Sequence, residues 1–215
     1  TLTESLAKQF GEVYLNRKFG GGGEIDKAFF SQALLSGMTS AMTEAERQFA
    51  VNHFSRNDFL VIANSSSSAI RTYVNQVGVL LAKAMNPSQS GENELDILAA
   101  AIFEEDFAQM KDLLIYRDVY HGAANDLKEI AVPVELAGAH AEMMNSLWRL
   151  GLIAEQMSKF EKDPMGGAAA MSAYFAEARR SVQPLERIVR AIKQRGLVFG
   201  ANEGGALFNK YLSLL

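Results

Sequence analysis

The chain is 215 residues long, 48% apolar and 21% charged, with a net charge of -4 and no cysteine. A single domain of this length buries roughly 70% of its unfolded surface, and neither the charge nor the hydropathy is that of a disordered segment. The acidic balance disfavours a general nucleic-acid binder, and the missing cysteines exclude disulfides, thiolate catalysis and cysteine-ligated metal centres.

In chain order the pattern is helical. Thr1-Leu2-Thr3-Glu4 has the spacing of a capping box, and Leu6, Phe10 and Val13 follow at helical intervals. Gly20 to Gly23 then reads as a flexible linker. A second helix is expected from about Glu24 to Ser36, and a third from Thr43, where Thr43-Glu44-Ala45-Glu46 repeats the capping box. Asp58 to Ala63 is the one stretch with strand character. Without a second strand to pair with, it is expected to be an extended, buried connector.

Ser65 to Ser68 offer N-caps for a helix running to Ala84, with Ile70, Val74, Val77 and Leu81 on its apolar side. After the Asn86 to Gly91 break, one helix is expected from about Glu92 to Tyr120, with Phe103, Phe107, Met110 and Leu114 on its seam. Pro133 fits the first turn of the next helix, whose seam is Leu136, His140, Met143, Leu147, Leu150, Ala154 and Met157. Asp163 and Pro164 cap and open its partner, with the seam Met171, Phe175, Ala178, Val182, Leu185, Val189 and Ile192 and a stop at Gly196. A short connection makes these two antiparallel. The seam stays in phase across Pro184, so a kink is expected there. A short final helix through Phe208, Tyr211 and Leu212 closes the chain. The expected fold is all-α: one helical bundle over residues 1–215 with a long C-terminal hairpin spanning 133–195.

The charge is uneven, with ten acids against three bases over Glu92 to Glu129, and six bases against one acid over Arg179 to Arg195. These read as solvated or mutually neutralising faces, and otherwise as a docking surface.

Chemistry-bearing residues are sparse. His53, His121 and His140 are the near-neutral titrators. Di-iron bundles use Glu-x-x-His pairs, and Asp118 with His121 is one imperfect half of such a site. His140 stands on the apolar seam with Asn145 about a turn further on. Tyr73, Asn75 and Tyr174 are candidates to hydrogen-bond it in one buried polar layer, which serves helix register or, in the alternative, a ligand. Gly20 to Gly23 lacks the pattern of a phosphate loop, and Ser65 to Ser68 lacks a base or a nucleophile elbow. No catalytic residue, cofactor or metal site is assigned.

Leu2 to Tyr14, Ala69 to Asn75, Val132-Pro133 with Leu136, His140, Asn145 and Leu147, and Asp163-Pro164 followed by Tyr174 together resemble an uncharacterised family of helical proteins from ultrasmall candidate-phyla bacteria. Members typically carry a membrane segment ahead of the helical part. The resemblance implies an extracytoplasmic domain anchored through a segment absent from this sequence, which opens at Thr1 without a leader. It implies no activity. The expected function is a non-enzymatic interaction or structural domain with a protein partner, belonging to an envelope, pilus or secretion assembly. The alternatives are a small-molecule or metal-binding bundle centred on His140 and, for location, the cytoplasm.

Overall fold

A computed structural model describes residues 1–19, 27–85 and 94–212. Its helices are α1 (Leu2–Phe19), α2 (Lys27–Phe49), α3 (Ser67–Ala84), α4 (Glu94–Phe103), α5 (Leu113–Lys128), α6 (Ala137–Met157), α7 (Pro164–Arg180), α8 (Val182–Gln194) and α9 (Asn209–Leu212). The fold is an all-α bundle. Two apolar clusters form its core. One gathers Ile70, Val74, Leu127, Met144, Ile188 and Ile192, the other Leu98, Met110, Leu113, Ile153, Met157 and Ala170. Both draw on α6, which is the central helix.

The first helix starts as expected: the Glu4 N–H donates to the Thr1 hydroxyl at 3.1 Å. The linker at Gly20 to Gly23 lies outside the described residues, as do the side chains of Phe10 and Val13. The two helices expected between Glu24 and Phe49 are one from Lys27 onward. Thr43 does not cap; its hydroxyl donates to the Thr39 carbonyl at 2.9 Å, as Thr39 does to Leu35 at 2.8 Å. A threonine that bonds one turn back sits in a helix interior, so the Thr-x-x-Glu spacing alone did not mark a start.

The segment expected to stay unpaired is in fact paired. Val61–Ile62 (β1) and Val132–Pro133 (β2) form a two-residue parallel bridge, and the Val132 N–H donates to the Leu60 carbonyl at 2.8 Å. Pro133 therefore ends a strand rather than opening a helix. It lacks an N–H but still has a carbonyl to offer, and a 3-10 turn over Val134–Leu136 leads into α6.

The helix expected over 92–120 is divided, its first two residues lying outside the described ones. α4 stops at Phe103, Glu105 takes a left-handed backbone (φ 55), and a 3-10 segment over Phe107–Asp112 precedes α5. Asp106 caps that segment, accepting the Ala108 N–H at 3.2 Å. Ahead of it, α3 follows expectation, with Ser66 as N-cap and Ile70, Val74, Val77, Leu81 and Ala84 buried.

The C-terminal hairpin is present. Partners run in opposite order along its arms: Gln156 meets Asp163 at 3.2 Å, Arg149 meets Glu177 at 2.7 Å, Glu142 meets Arg187 at 3.2 Å and Glu135 meets Arg195 at 2.6 Å. On the basic face of the second arm, Arg187 and Arg195 thus pair with acids of the first arm, while Arg180 and Arg190 pair with Glu177 and Glu186 of their own arm. Asp163 caps α7 through the Gly166 N–H at 3.2 Å, and also accepts the Thr3 hydroxyl at 2.7 Å, fastening α1 to the hairpin.

All seven seam residues from Leu136 to Met157 are buried. The seam of the second arm is corrected in its first half: Phe175 is 52% and Val182 45% exposed. α7 instead buries Gly166, Gly167, Ala169, Ala170, Ala173, Tyr174 and Glu177. The glycines and alanines among them let the backbone approach closely; a Cβ on Gly167 would stand 2.5 Å from the Phe160 ring. The phase shift follows from a break, not the expected kink. α7 ends at Arg180 and α8 restarts at Val182, because Pro184 has no N–H to offer the Arg180 carbonyl. Beyond it Val189 and Ile192 are buried as expected, and Gly196 (φ 58) stops the helix.

Candidate functional sites

His140 is fully buried on α6. One ring nitrogen, Nε2, lies 3.1 Å from the Leu127 carbonyl, which can only accept, so Nε2 carries the proton. Nδ1 then accepts the Tyr73 hydroxyl at 3.1 Å. The Phe59 ring packs edge-on at 4.7 Å. Burial pulls the imidazole down to about 4, against a smaller opposing effect of the Leu127 bond. The ring is therefore neutral at pH 7 with both nitrogens occupied. Burial also pushes the Tyr73 hydroxyl upward, keeping it a donor.

The other members of the expected layer lie elsewhere. Asn145 serves as a main-chain surrogate for the segment after α2. Its Oδ1 accepts the N–H groups of His53 at 2.7 Å and Phe54 at 2.8 Å, while Nδ2 donates to the Phe54 carbonyl at 2.9 Å. Asn75 holds the C-terminal segment, accepting the Gly205 N–H at 2.8 Å and donating to Glu203 at 3.1 Å. The approach is close enough that a Cβ on Gly78 would stand 2.0 Å from the Gly204 carbonyl oxygen. The Gly200 N–H first, then Asn75 and Arg71, hold the Glu203 carboxyl down at about 2. Tyr174 donates to Glu94 at 3.3 Å, and Tyr120 donates to the same carboxylate. Burial raises Glu94 and Tyr174 above their ordinary values. Of the five residues, only Tyr73 and His140 meet. Asn75, two residues after Tyr73 on α3, faces the opposite side of that helix, and Asn145 and Tyr174 are held by the segment after α2 and by Glu94.

His121 and His53 occupy opposite faces of the Trp148 indole, with ring centroids 4.0 Å and 3.9 Å away. Burial lowers His121. Asp118 does not join it but pairs with Arg117 at 2.8 Å. Among the described residues, no group of three or more His, Asp or Glu is placed to hold a metal ion.

Two features were missed in the sequence. The first is a buried ion network between α6 and α7. Arg149, 5% exposed, donates to Glu177 at 2.7 Å and to Asn52 at 2.8 Å. Ser146 donates to the same Glu177 carboxylate at 2.5 Å and Arg180 at 3.1 Å. The available signal was a lone arginine inside the apolar run Leu147 to Ile153. The second is α4. Leu98 and Ala101 face the core, whereas Leu95 and Ile102 are each 45% exposed and Phe103 is 87% exposed. Exposed acids adjoin it: Asp96 on the helix, and Glu104, Glu105 and Asp106 just after. A helix this apolar normally lies inside a protein, and this one keeps one apolar side exposed.

No family model, curated protein or solved structure matches the chain.

Proposed function

We propose that the protein is a non-enzymatic helical interaction domain, and that α4 with the turn after it is the surface that meets the partner. The observation carrying this reading is that Leu95, Ile102 and Phe103 project from a helix whose next three residues are the exposed acids Glu104, Glu105 and Asp106. An apolar patch rimmed by acids selects a partner segment that is apolar at its centre and basic at its edge. The buried histidine of α6 supports the non-enzymatic part of the reading: both ring nitrogens of His140 are engaged within the chain, by Tyr73 and by the Leu127 carbonyl.

The extracytoplasmic, membrane-anchored location is proposed on the sequence resemblance. No helix among the described residues is long and apolar enough to cross a membrane. Protease accessibility of the full gene product in intact cells tests the location, with digestion from outside as the expected outcome.

The interaction is tested by placing a photo-crosslinking amino acid at Phe103, and at the exposed Arg190 of α8 as a control, in cells that produce the protein natively. A discrete protein adduct is expected at position 103, absent at 190, weakened by high salt and lost in Ile102→Glu. No adduct at 103, or the same adducts at both positions, overturns the reading. An adduct of twice the chain mass would assign the surface to a second copy instead of a separate partner.

A further inference from the structure

We infer that a small polar cavity beside Arg149 is a binding site for the carboxylate of a free, amino-acid-sized organic acid. This inference is independent of α4. The cavity has a volume of about 280 Å³ and lies where α7 gives way to α8, with Asn52, Glu142, Ser146, Arg149, Arg180 and Gln183 in its wall.

The charge balance points to an anion. Two guanidinium groups, Arg149 and Arg180, converge on the single Glu177 carboxylate, which leaves one positive charge in excess. The acid on the rim adds nothing to this sum, because Glu142 is already paired with Arg187 at 3.2 Å. Within the network, Arg149 spends Nη1 on Asn52 and Nη2 on Glu177, while its Nε is buried without a hydrogen-bond partner. A buried charged donor left unpaired costs more than a neutral one, and native interiors rarely keep such a group without a reason.

The donors select the shape of the anion. The Asn52 Oδ1 is turned toward Arg149, so its amide N–H groups remain to be offered elsewhere. Arg180 bonds Glu177 through Nη1, which leaves other N–H groups of its fork. A planar carboxylate matches such in-plane donors, and one negative charge cancels the excess. At 280 Å³ the cavity lies just under the range of drug-sized sites, which start at roughly 300 Å³, so the acid is small.

Lactate is a suitable probe, with lactamide as its neutral counterpart, inorganic phosphate as a differently shaped anion, N-acetylalanylalanine as a peptide carboxylate, and sodium chloride at matched ionic strength. Calorimetric titration and the thermal midpoint of the whole chain are the readouts. Saturable binding of lactate is expected, with at least tenfold weaker binding of lactamide, phosphate and the peptide.

Asn52→Ala and Arg180→Gln stand at the accessible edge of the network and are each expected to weaken lactate about tenfold while keeping the unliganded fold. Arg149→Lys keeps the charge but removes Nε and the fork, and is expected to abolish binding; should it fail to fold, the two edge variants decide. The inference is overturned if lactate does no more than chloride, if lactamide or phosphate binds as well, or if both edge variants bind lactate like the parent. Tighter binding of the peptide acid would overturn the free-acid assignment.

Discussion

Helices α6 and α4 invert the ordinary relation between polarity and burial. α6 buries His140, Asn145, Ser146 and Arg149, whereas α4, the more apolar of the two, leaves Leu95, Ile102 and Phe103 in solvent. Neighbours account for the difference. α6 passes through both core clusters, so its buried polar side chains meet main-chain groups, hydroxyls or charges to pair with, the Arg149 Nε excepted. α4 buries Glu94, Leu98 and Ala101 against the bundle, and its outer side stays exposed at Leu95, Ile102 and Phe103. Burial here follows position in the bundle, and a buried polar group is tolerated to the degree that it is paired.

That comparison can be broken most severely at Glu177. Glu177→Ala strands the Arg149 charge in the interior and should destabilise the fold by about 4 kcal/mol in urea denaturation, whereas Arg149→Met combined with Glu177→Leu should recover most of the loss, since removing both charges spares their desolvation. Equal losses in the single and double variants would contradict the pairing.

The next effect is a pH dependence from His140. Its folded pKa, about 4, lies below the ordinary 6.5, so the unfolded chain binds the extra proton between those values. Stability should be fully present above pH 6.5 and fall by up to about 3 kcal/mol as pH drops toward 4. Thermal midpoints across this range should show the slope, and His140→Gln should flatten it. Glu94 acts with the opposite sign: its raised folded pKa gives stability that is present at low pH and lost as pH rises through that value. Comparing Glu94→Gln with the parent separates the two.

Asn145→Ala removes the partner of three main-chain groups at His53 and Phe54. A loss of about 2 kcal/mol is expected, together with faster amide exchange confined to that segment. The smallest effect belongs to α4. Phe103→Ser should change stability by less than about 0.5 kcal/mol, and a larger loss would mean that this ring packs against the chain itself.

The same contrast explains what was legible in the sequence. The α6 seam stands out because large apolar residues recur every three or four positions with polar ones between them. In α7 most of the buried residues are glycine or alanine, whose hydropathy hardly differs from that of Ala168 and Ala176 facing solvent, so the larger but exposed Phe175 misled the phase. The β1–β2 bridge is two residues long and joins segments about 70 positions apart, which no local periodicity records. At the candidate sites, His140 was singled out correctly as a buried polar residue and Tyr73 as a neighbour. Arg149, Glu177 and Asn52 went unnoticed because their meeting depends on three separated segments.

By itself, the sequence determined the helical class, a serine cap ahead of α3, the cap at Asp163, the stop at Gly196 and the buried face of α6. These are local properties, set by backbone conformation and side-chain spacing within one or two turns. The tertiary structure alone decided which polar side chains found partners, that Pro184 divides rather than bends its helix, that α4 keeps an open apolar side, and that two arginines converge on one buried carboxylate. Each of these depends on what stands opposite in space, and spacing along a single helix carries no record of it.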